Sequence, residues 1–244
     1  MRYRLTAFAL LLGLSGLAAA GTHWGYDGKE GPEHWAGLSA DYAMCGMGKN
    51  QSPIDVARSF SAQLPTLMLN YHAGGNEVLN NGHTIKVDFQ PGSAFSVDGH
   101  SYALKQLHFH SPSENTINGR HFPMEMHLVH TDENGALAVI GVMFTYGQAN
   151  AALKNIFRQM PTAAGGKTML EKHVDASALL PKDTAYYAFS GSLTTPPCSE
   201  GVSWFLLKEP ITASKTQIRA FMDVMGHPNN RPVQPLNARM VVGN

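Results

Sequence analysis

The chain has 244 residues, of which 18 are lysine or arginine and 18 are aspartate or glutamate, so its formal net charge at pH 7 is zero. The basic residues are scattered and form no patch or stripe, which argues against a nucleic-acid-binding protein. A chain of this length can bury one substantial core, and no repeat, low-complexity tract or charged linker divides it. We therefore expect a single domain.

The first 20 residues have the three parts of a secretory signal peptide. Two arginines give a basic start, residues 5–17 form an apolar run, and residues 18–20 are alanines suited to a cleavage site. The apolar run is shorter than the roughly 18 residues of a membrane span, although an uncleaved anchor is an alternative. The pattern predicts a signal peptide at residues 1–20, export to the periplasm or beyond, and no membrane insertion of the mature domain at residues 21–244.

The sequence contains two cysteines, Cys45 and Cys198. Because an exported protein meets oxidising surroundings, we expect these residues to form one disulfide. It would close a loop of about 150 residues, for which the chain-entropy model gives roughly 5 kcal/mol. Two free, buried thiols are the alternative.

Short runs of alternating or β-branched residues between turn signals predict that strands dominate the secondary structure. Five runs carry this pattern: residues 84–89, 106–110, 124–130, 137–144 and 202–207. Helical spacing of apolar residues is convincing only at residues 150–160 and 212–225. The 24 glycines and 14 prolines suit the turns and loops of such a chain. We predict a mainly β domain with peripheral helices.

Two of the predicted strands carry histidines on a single face. In the first, strand alternation places Gln106, His108 and His110 on the same side. In the second, Glu125 and His127 share a side. If the two strands are neighbours, three imidazoles come together, and they form a candidate metal site.

The composition of this site indicates which kind of metal centre it is. Three neutral nitrogen ligands without a thiolate leave a tetrahedral Zn²⁺ one ligand short, and the open position admits water or substrate, as in catalytic zinc sites. Gln106 and Glu125 each precede a proposed ligand by two residues, where each can accept the free N–H of that histidine.

Histidine pairs of this spacing also arise by chance in a chain with 12 histidines, so the pair alone is weak evidence. Eight further histidines are expected to be surface or hydrogen-bonded side chains: His23, His34, His72, His100, His121, His130, His173 and His227. A solvated turn residue is likewise the alternative for His83.

A series of motifs runs along the whole mature chain. It begins with HWGY at residues 23–26 and ends with RPVQPL at residues 231–236. Between them lie GPEHW at 31–35, QSPID at 51–55, NGH at 81–83, QLHFH at 106–110, EMHLVH at 125–130 and GSLTTPPC at 191–198. In kind and order these motifs resemble those of the α-carbonic anhydrases, and the chain is identified as a member of that family.

The resemblance implies a fold. It implies one catalytic domain over residues 21–244, built on a central, twisted, mostly antiparallel sheet of ten strands. Zn²⁺ would lie at the bottom of a conical cleft, held by His108, His110 and His127. The disulfide between the two cysteines, found in bacterial members, would fasten the catalytic loop to the N-terminal region. Cis bonds are implied at Ser52-Pro53 and Pro196-Pro197, and exported bacterial relatives suggest a homodimer.

The resemblance also implies a reaction. A zinc lyase of this family hydrates carbon dioxide reversibly to bicarbonate and a proton through attack by zinc-bound hydroxide. Thr194 resembles the residue whose hydroxyl donates to a glutamate, here Glu114, and accepts from the hydroxide. His83 resembles the proton shuttle, and Tyr26 resembles the tyrosine that orders the intervening waters.

The implied partners are small molecules, namely carbon dioxide, bicarbonate and water. Thr195 would contribute a weaker contact to substrate through water. Carbon dioxide is apolar and needs a dry wall beside the metal. The resemblance assigns this wall to Val129, Val139, Leu193, Val202 and Trp204.

One departure from the family pattern concerns Asn115, which follows Glu114 where a histidine is usual. Asparagine can hydrogen-bond but cannot become cationic, so we expect any structural effect of this change to lie around Glu114, without loss of a metal ligand or of the proton relay. Two other functions are alternatives: a catalytically silent binding module, and a general zinc hydrolase for which ester cleavage would be the main activity rather than a side activity. The presence of all three ligands and of Thr194 favours the anhydrase.

Overall fold

The computed structural model describes residues 22–244, so the predicted signal peptide at residues 1–20 lies outside the described residues. Strands dominate this part of the chain. In chain order they are β1 Asp55–Val56, β2 Phe60–Ser61, β3 Met68–Asn70, β4 Ala73–Asn80, β5 Ile85–Phe89, β6 Ala94–Val97, β7 His100–His110, β8 Thr116–Ile117, β9 Met124–Thr131, β10 Leu137–Tyr146, β11 Lys167–Asp175, β12 Tyr186–Ser192, β13 Glu200–Leu207, β14 Ile211–Ala213 and β15 Val242–Gly243.

The helices are short and few. The α-helices are α1 Trp35–Leu38, α2 Met44–Met47, α3 Ala151–Phe157 and α4 Lys215–Met225, and 3₁₀ turns occur at Gly28–Glu30, Ala40–Tyr42 and Ala176–Leu179. Within residues 22–244, no helix combines the length and the apolar character needed to cross a membrane.

A single large sheet organises the domain. Ten strands follow one another in the order β11-β4-β5-β7-β9-β10-β13-β12-β15-β2, and the shorter β3, β6 and β14 pair beside this path. In this sheet β10 runs parallel to β13 and β14, and β15 runs parallel to β2, while the other pairs are antiparallel. Strands β1 and β8 form a separate two-stranded sheet. The predicted mainly β domain with a large, mostly antiparallel sheet is confirmed, with three short strands added to the ten implied.

The five strands predicted from alternation fall on β5, β7, β9, β10 and β13. The ends differ by a few residues in four of them, whereas β7 begins at His100, six residues before the predicted start. Both predicted helices are present but shorter than predicted. The side chain of Asn150 caps α3, which ends at Phe157. Helix α4 begins later than Thr212, because Thr212 pairs with β10 in strand β14 and Ser214 forms a capping box with Gln217.

Apolar residues fill two clusters that include residues of the central sheet. The larger cluster includes Phe109, Phe157 and Phe221, so α3 and α4 pack against β7. The smaller cluster contains Val139 and Trp204 of the neighbouring strands β10 and β13. This second cluster borders the histidines described below, because the ring of Trp204 lies edge-on to one of them.

The two cysteines form the predicted disulfide. Cys45 of α2 is bonded to Cys198, 153 positions later, with their Cα atoms 5.0 Å apart. Peptide bonds at Ser52-Pro53 and Pro196-Pro197 are cis, as the resemblance implied, and a third cis bond occurs at Ser111-Pro112. The disulfide therefore joins the N-terminal region to the loop that contains Thr194.

Candidate metal centre

Strand register brings three histidines together. Strands β7 and β9 are antiparallel neighbours, and their pairing places His108 directly opposite His127 and His110 opposite Glu125. One ligand nitrogen from each of His108, His110 and His127 lies within 4.8 Å of those from the other two. His110 and His127 are buried and His108 is half-buried. The arrangement can hold one metal ion with an open position.

Each of these rings uses its second nitrogen for a contact within the protein, which fixes the orientation of the ring. The three contacts are His108 Nδ1 to Gln106 Oε1 at 2.8 Å, His110 Nδ1 to the Asn229 carbonyl at 2.7 Å, and His127 Nε2 to Glu125 Oε1 at 3.0 Å. The structure thus places Gln106 and Glu125 beside the histidines that follow them two positions later. One nitrogen of each ring remains for a metal.

The protonation of the rings also suits a metal. Burial lowers the pKa of His110 to about 4, and burial together with neighbouring histidines holds the pKa values of His108 and His127 well below the usual range. The rings are therefore neutral at physiological pH, as metal ligation requires. His110 Nε2 is buried without a hydrogen-bond partner, a costly state that a metal ion would relieve. The donor set fits Zn²⁺.

Glu114 and Thr194 lie beside this centre. The Glu114 carboxylate is fully buried, with Oε1 accepting from the backbone N–H of Arg231 at 2.9 Å and Oε2 lying 3.4 Å from His110 Nε2. Burial raises the pKa of Glu114 to about 8, while hydrogen bonds from the Arg231 backbone and the Thr194 side chain oppose this rise. The structure therefore brings Glu114, Thr194 and the histidines into one network.

The asparagine that departs from the family pattern is part of the same network. Glu125 Oε1 accepts from the side-chain amide of Asn115 at 2.7 Å, and Oε2 accepts from the backbone N–H groups of Glu114 and Asn115. The side-chain oxygen of Asn115 accepts in turn from the backbone of Ile54. Burial raises the pKa of Glu125 to about 7, against these hydrogen bonds. Asn115 thus fits its position without disturbing Glu114.

A cavity of about 130 Å³ lies beside the histidines. Its lining includes His108, His110, Tyr26, His83 and Thr195. Burial raises the pKa of Tyr26, and the nearby Glu114 carboxylate raises it further. The structure therefore brings Tyr26, His83 and Thr195 into the same cavity as two of the histidines.

The five residues assigned to the substrate wall lie together. Val139, Val202 and Trp204 belong to one buried cluster, and Val129 and Leu193 pack against it. Val139 lies opposite Val129 on β9 and opposite Trp204 on β13. The ring of Trp204 lies edge-on to His127 with centroids 4.9 Å apart, so this apolar surface reaches the metal centre.

Two residues of the site were not predicted. The Asn229 carbonyl orients His110, and its side-chain amide binds the backbone carbonyls of His83 and Phe109. Arg231 is buried, and its guanidinium donates to Gln51 and to two backbone carbonyls. Arg231 is the first residue of the RPVQPL motif, which contributed to the family resemblance but was given no function. The sequence around Asn229 contains no pattern that predicts a contact with a histidine.

Comparison with known proteins gives consistent matches along the chain. A family model described as eukaryotic-type carbonic anhydrase matches residues 30–244. The chain is 49% identical over 244 residues to a carbonic anhydrase from Neisseria gonorrhoeae, covering 98% of this chain and 96% of that protein. It is 46% identical over 238 residues to a carbonic anhydrase from Pectobacterium carotovorum, covering 97% and 98% of the two chains.

Solved structures give the same result. The α-carbonic anhydrase of Thermovibrio ammonificans, determined with the inhibitor sulfanilamide, superimposes with a TM-score of 0.90 at 51% identity. The match covers 91% of this chain and all of that one. Fold and sequence therefore agree over nearly the whole of the described chain.

Proposed function

Because this chain belongs to the eukaryotic-type, or α-class, carbonic anhydrases, we propose that it hydrates carbon dioxide reversibly to bicarbonate and a proton with Zn²⁺ held by His108, His110 and His127. The observation that carries this proposal is the set of three converging neutral imidazoles, each oriented through its second nitrogen. The buried, unpartnered Nε2 of His110 supports it.

Zinc, when bound, supplies a Lewis acid and a hydroxide nucleophile derived from water near neutral pH. The chain's own residues prepare the site for this chemistry. Gln106, Glu125 and the Asn229 carbonyl fix the three rings, and a ring held in one orientation loses less freedom when it binds a metal. Asn115 assists by holding the Glu125 carboxylate in place.

Thr194 would orient the nucleophile. We assign its hydroxyl proton to the buried Glu114 carboxyl group, because the hydrogen bond between the Thr194 side chain and Glu114 opposes the rise in the pKa of Glu114 that burial causes. With that proton engaged, the Thr194 oxygen can only accept a hydrogen bond, so it favours a nucleophile that still carries a proton. Thr195, at the cavity wall, would contact substrate through water.

The apolar wall would receive carbon dioxide. Val129 is half-buried, lies opposite the buried Val139 and packs against the cluster that contains Trp204, so a bulky side chain can be added there with limited damage to the core. Val129→Tyr should suppress carbon dioxide hydration sharply, whereas the same change at Val233, which is 42% exposed, should not. If Val129→Tyr spared hydration but reduced ester cleavage, a general hydrolase would be the better description.

Proton export would follow through the cavity. His83 is half-buried at the cavity wall, and Tyr26 lines the same space, where it can order water. His83→Ala should slow turnover in dilute buffer, and imidazole should restore it, because the defect lies in proton transfer and not in the attack on substrate. His100→Ala, at an exposed position, is the matched control. Full activity of His83→Ala would remove His83 from the mechanism.

We propose export to the periplasm or beyond for the mature domain. The Cys45–Cys198 disulfide supports this location, because such bonds persist in oxidising compartments. N-terminal sequencing of the protein from an intact expressing cell should begin at Gly21. Light scattering on the same material tests the homodimer suggested by exported bacterial relatives.

One experiment tests the proposed function directly. Stopped-flow carbon dioxide hydration is measured together with metal content on the purified protein, after chelation, and after zinc is returned. We expect one zinc ion per chain in the zinc-loaded protein, loss of activity after chelation and recovery of activity when zinc is returned. His127→Ala should bind zinc weakly or not at all, and sulfanilamide should inhibit the loaded wild type. A metal-free protein with full activity, or one inert with zinc bound, would overturn the proposal.

A further inference from the structure

One side chain in the cavity beside the metal centre carries a full charge. Among the described residues that line the cavity, Lys86 is the only lysine, arginine, aspartate or glutamate. Burial lowers the pKa values of the three histidines in the lining and raises the pKa of Tyr26, so these side chains are neutral at physiological pH. The lysine side chain is an ammonium group. The cavity is therefore a nearly neutral space with one fixed cation.

Strand register directs Lys86 toward the metal centre. On the neighbouring strands β5 and β7, Lys86 lies directly opposite His108, and Asp88 lies opposite Gln106. Side chains that lie directly opposite each other on antiparallel strands share one face of the sheet. Burial and the two neighbouring histidines lower the pKa of His108, and the charge of Lys86 lowers it further. Lys86 is therefore close enough for its charge to act at the metal centre.

An ion pair holds the ammonium group in place. Lys86 Nζ lies 2.8 Å from Asp88 Oδ1, and the two side chains are 26% and 39% exposed. Lys86 lines the cavity and Asp88 does not, so the pair presents its positive end to the cavity. Because an ammonium group has three N–H donors, the contact with Asp88 leaves donors for a second oxygen acceptor.

We propose that Lys86 binds bicarbonate in this cavity and so distinguishes the anionic product of the reaction from the neutral substrate. The inference rests on the proposed function. Carbon dioxide has no net charge, so the ammonium group contributes little to its binding. Bicarbonate has one negative charge and three oxygens, and it can accept a hydrogen bond from the ammonium group. A charge in a cleft attracts an anion more strongly than the same charge in open water.

The equilibrium of the reaction limits what Lys86 can change. The ratio of kcat/KM for hydration to kcat/KM for dehydration is fixed by this equilibrium, so no side chain alters it. Lys86 stabilises the complex that contains bicarbonate. It therefore lowers the KM for bicarbonate in dehydration and strengthens inhibition of hydration by bicarbonate.

The same charge acts in the opposite direction on a metal ion. A cation on the metal side of the sheet attracts anions and repels Zn²⁺. Removing the charge of Lys86 should therefore weaken anion binding and strengthen zinc binding. Distortion of the site would weaken both. The sign of the two changes thus separates an electrostatic role of Lys86 from a structural one.

Three variants and two binding assays test this inference. Lys86→Gln removes the charge and Lys86→Arg keeps it, while Lys105→Gln is the matched control, because Lys105 is exposed on β7 and lies outside the cavity lining. Zinc affinity is measured by competition with a chromophoric chelator. The affinities for bicarbonate and thiocyanate are measured from the visible spectrum of the cobalt-substituted protein.

The expected changes have opposite signs. Lys86→Gln should weaken the binding of both anions by about threefold and tighten zinc binding by about twofold. The KM for bicarbonate dehydration should rise by about threefold in the zinc-loaded variant. Lys86→Arg and Lys105→Gln should match wild type in all of these measurements.

The outcomes separate this inference from the proposed function. Unchanged anion affinity in Lys86→Gln, in a protein that binds zinc and hydrates carbon dioxide, overturns the inference and leaves the proposed function intact. Weaker binding of both zinc and anions also overturns it, because the substitution would then have damaged the site. A wild-type protein that hydrates no carbon dioxide when loaded with zinc overturns the proposed function, and the inference with it.

Discussion

A buried histidine remote from the proposed chemistry should make the stability of the fold sensitive to acid. His130 on β9 is fully buried, its Nε2 lies 2.9 Å from the Tyr71 hydroxyl, and Phe95 packs edge-on against its ring. Its Nδ1 has no hydrogen-bond partner. Burial lowers the pKa of His130 to about 3, so the native protein holds this residue neutral.

The size of the effect follows from proton linkage. An unfolded histidine has a pKa near 6.5, so between pH 6.5 and pH 3 the unfolded state binds one proton more at this position than the native state. The contribution of neutral His130 to the free energy of unfolding is present above pH 6.5. As the pH is lowered below 6.5, this contribution decreases by up to about 1.4 kcal/mol per pH unit, and it reaches a plateau below pH 3. At pH 5 the loss from His130 alone is about 2 kcal/mol.

Urea unfolding of the metal-free protein from pH 7.5 to pH 5 measures this slope. His130→Gln removes the titrating group. Between pH 6 and pH 5, the fall in the free energy of unfolding should be smaller in this variant than in wild type by about 1.2 kcal/mol. The slope, and not the absolute stability, is compared, because the substitution also alters packing. His72→Gln, at an exposed position, should keep the wild-type slope. Equal slopes for wild type and His130→Gln would refute the reasoning.

Three further changes should lower the free energy of unfolding, measured by urea titration. Arg231→Met should cost about 3–5 kcal/mol, because it leaves three buried acceptors without their guanidinium donor. Gly191→Ala should cost about 1–3 kcal/mol, because the added Cβ would overlap Ser52 Oγ and would lie 2.8 Å from Trp204 Cδ1. Replacing Cys45 and Cys198 by serine should cost up to about 5 kcal/mol, since the bond spans 153 positions. For each of the three changes, a loss of less than about 0.5 kcal/mol would contradict the physical reason given for it.

The sequence was most informative where strands lie in the middle of the sheet. β9 and β10 are buried along most of their length, so their apolar and β-branched runs predict them directly. β4 and β11 are among the strands that were not predicted. β4 contains two consecutive glycines, and β11, which ends the sheet, is mostly exposed and rich in charged residues. Edge strands of this kind carry little periodic signal, since one side of the ladder meets water.

The residues of the candidate metal centre likewise fall into those that the sequence could predict and those that it could not. Gln106 and Glu125 could be placed because they share a strand with the histidine they contact, and period-two alternation fixes their side of the sheet. Asn229 could not, because it orients His110 through a backbone carbonyl from a loop 119 positions away. A carbonyl has no residue-specific signature, and its position depends on the fold of the whole chain.

The burial that prepares the three histidines also carries a cost, and this cost links the metal to the fold. His110 and His127 are buried and neutral, and in the metal-free protein His110 Nε2 has no hydrogen-bond partner. Unfolding returns that nitrogen to water, so its burial favours the unfolded state. A metal bound at the folded site removes this penalty and adds its own binding energy, which unfolded chains cannot match. The neutral, oriented rings that would suit the proposed catalysis would therefore make a bound metal part of what stabilises the native state.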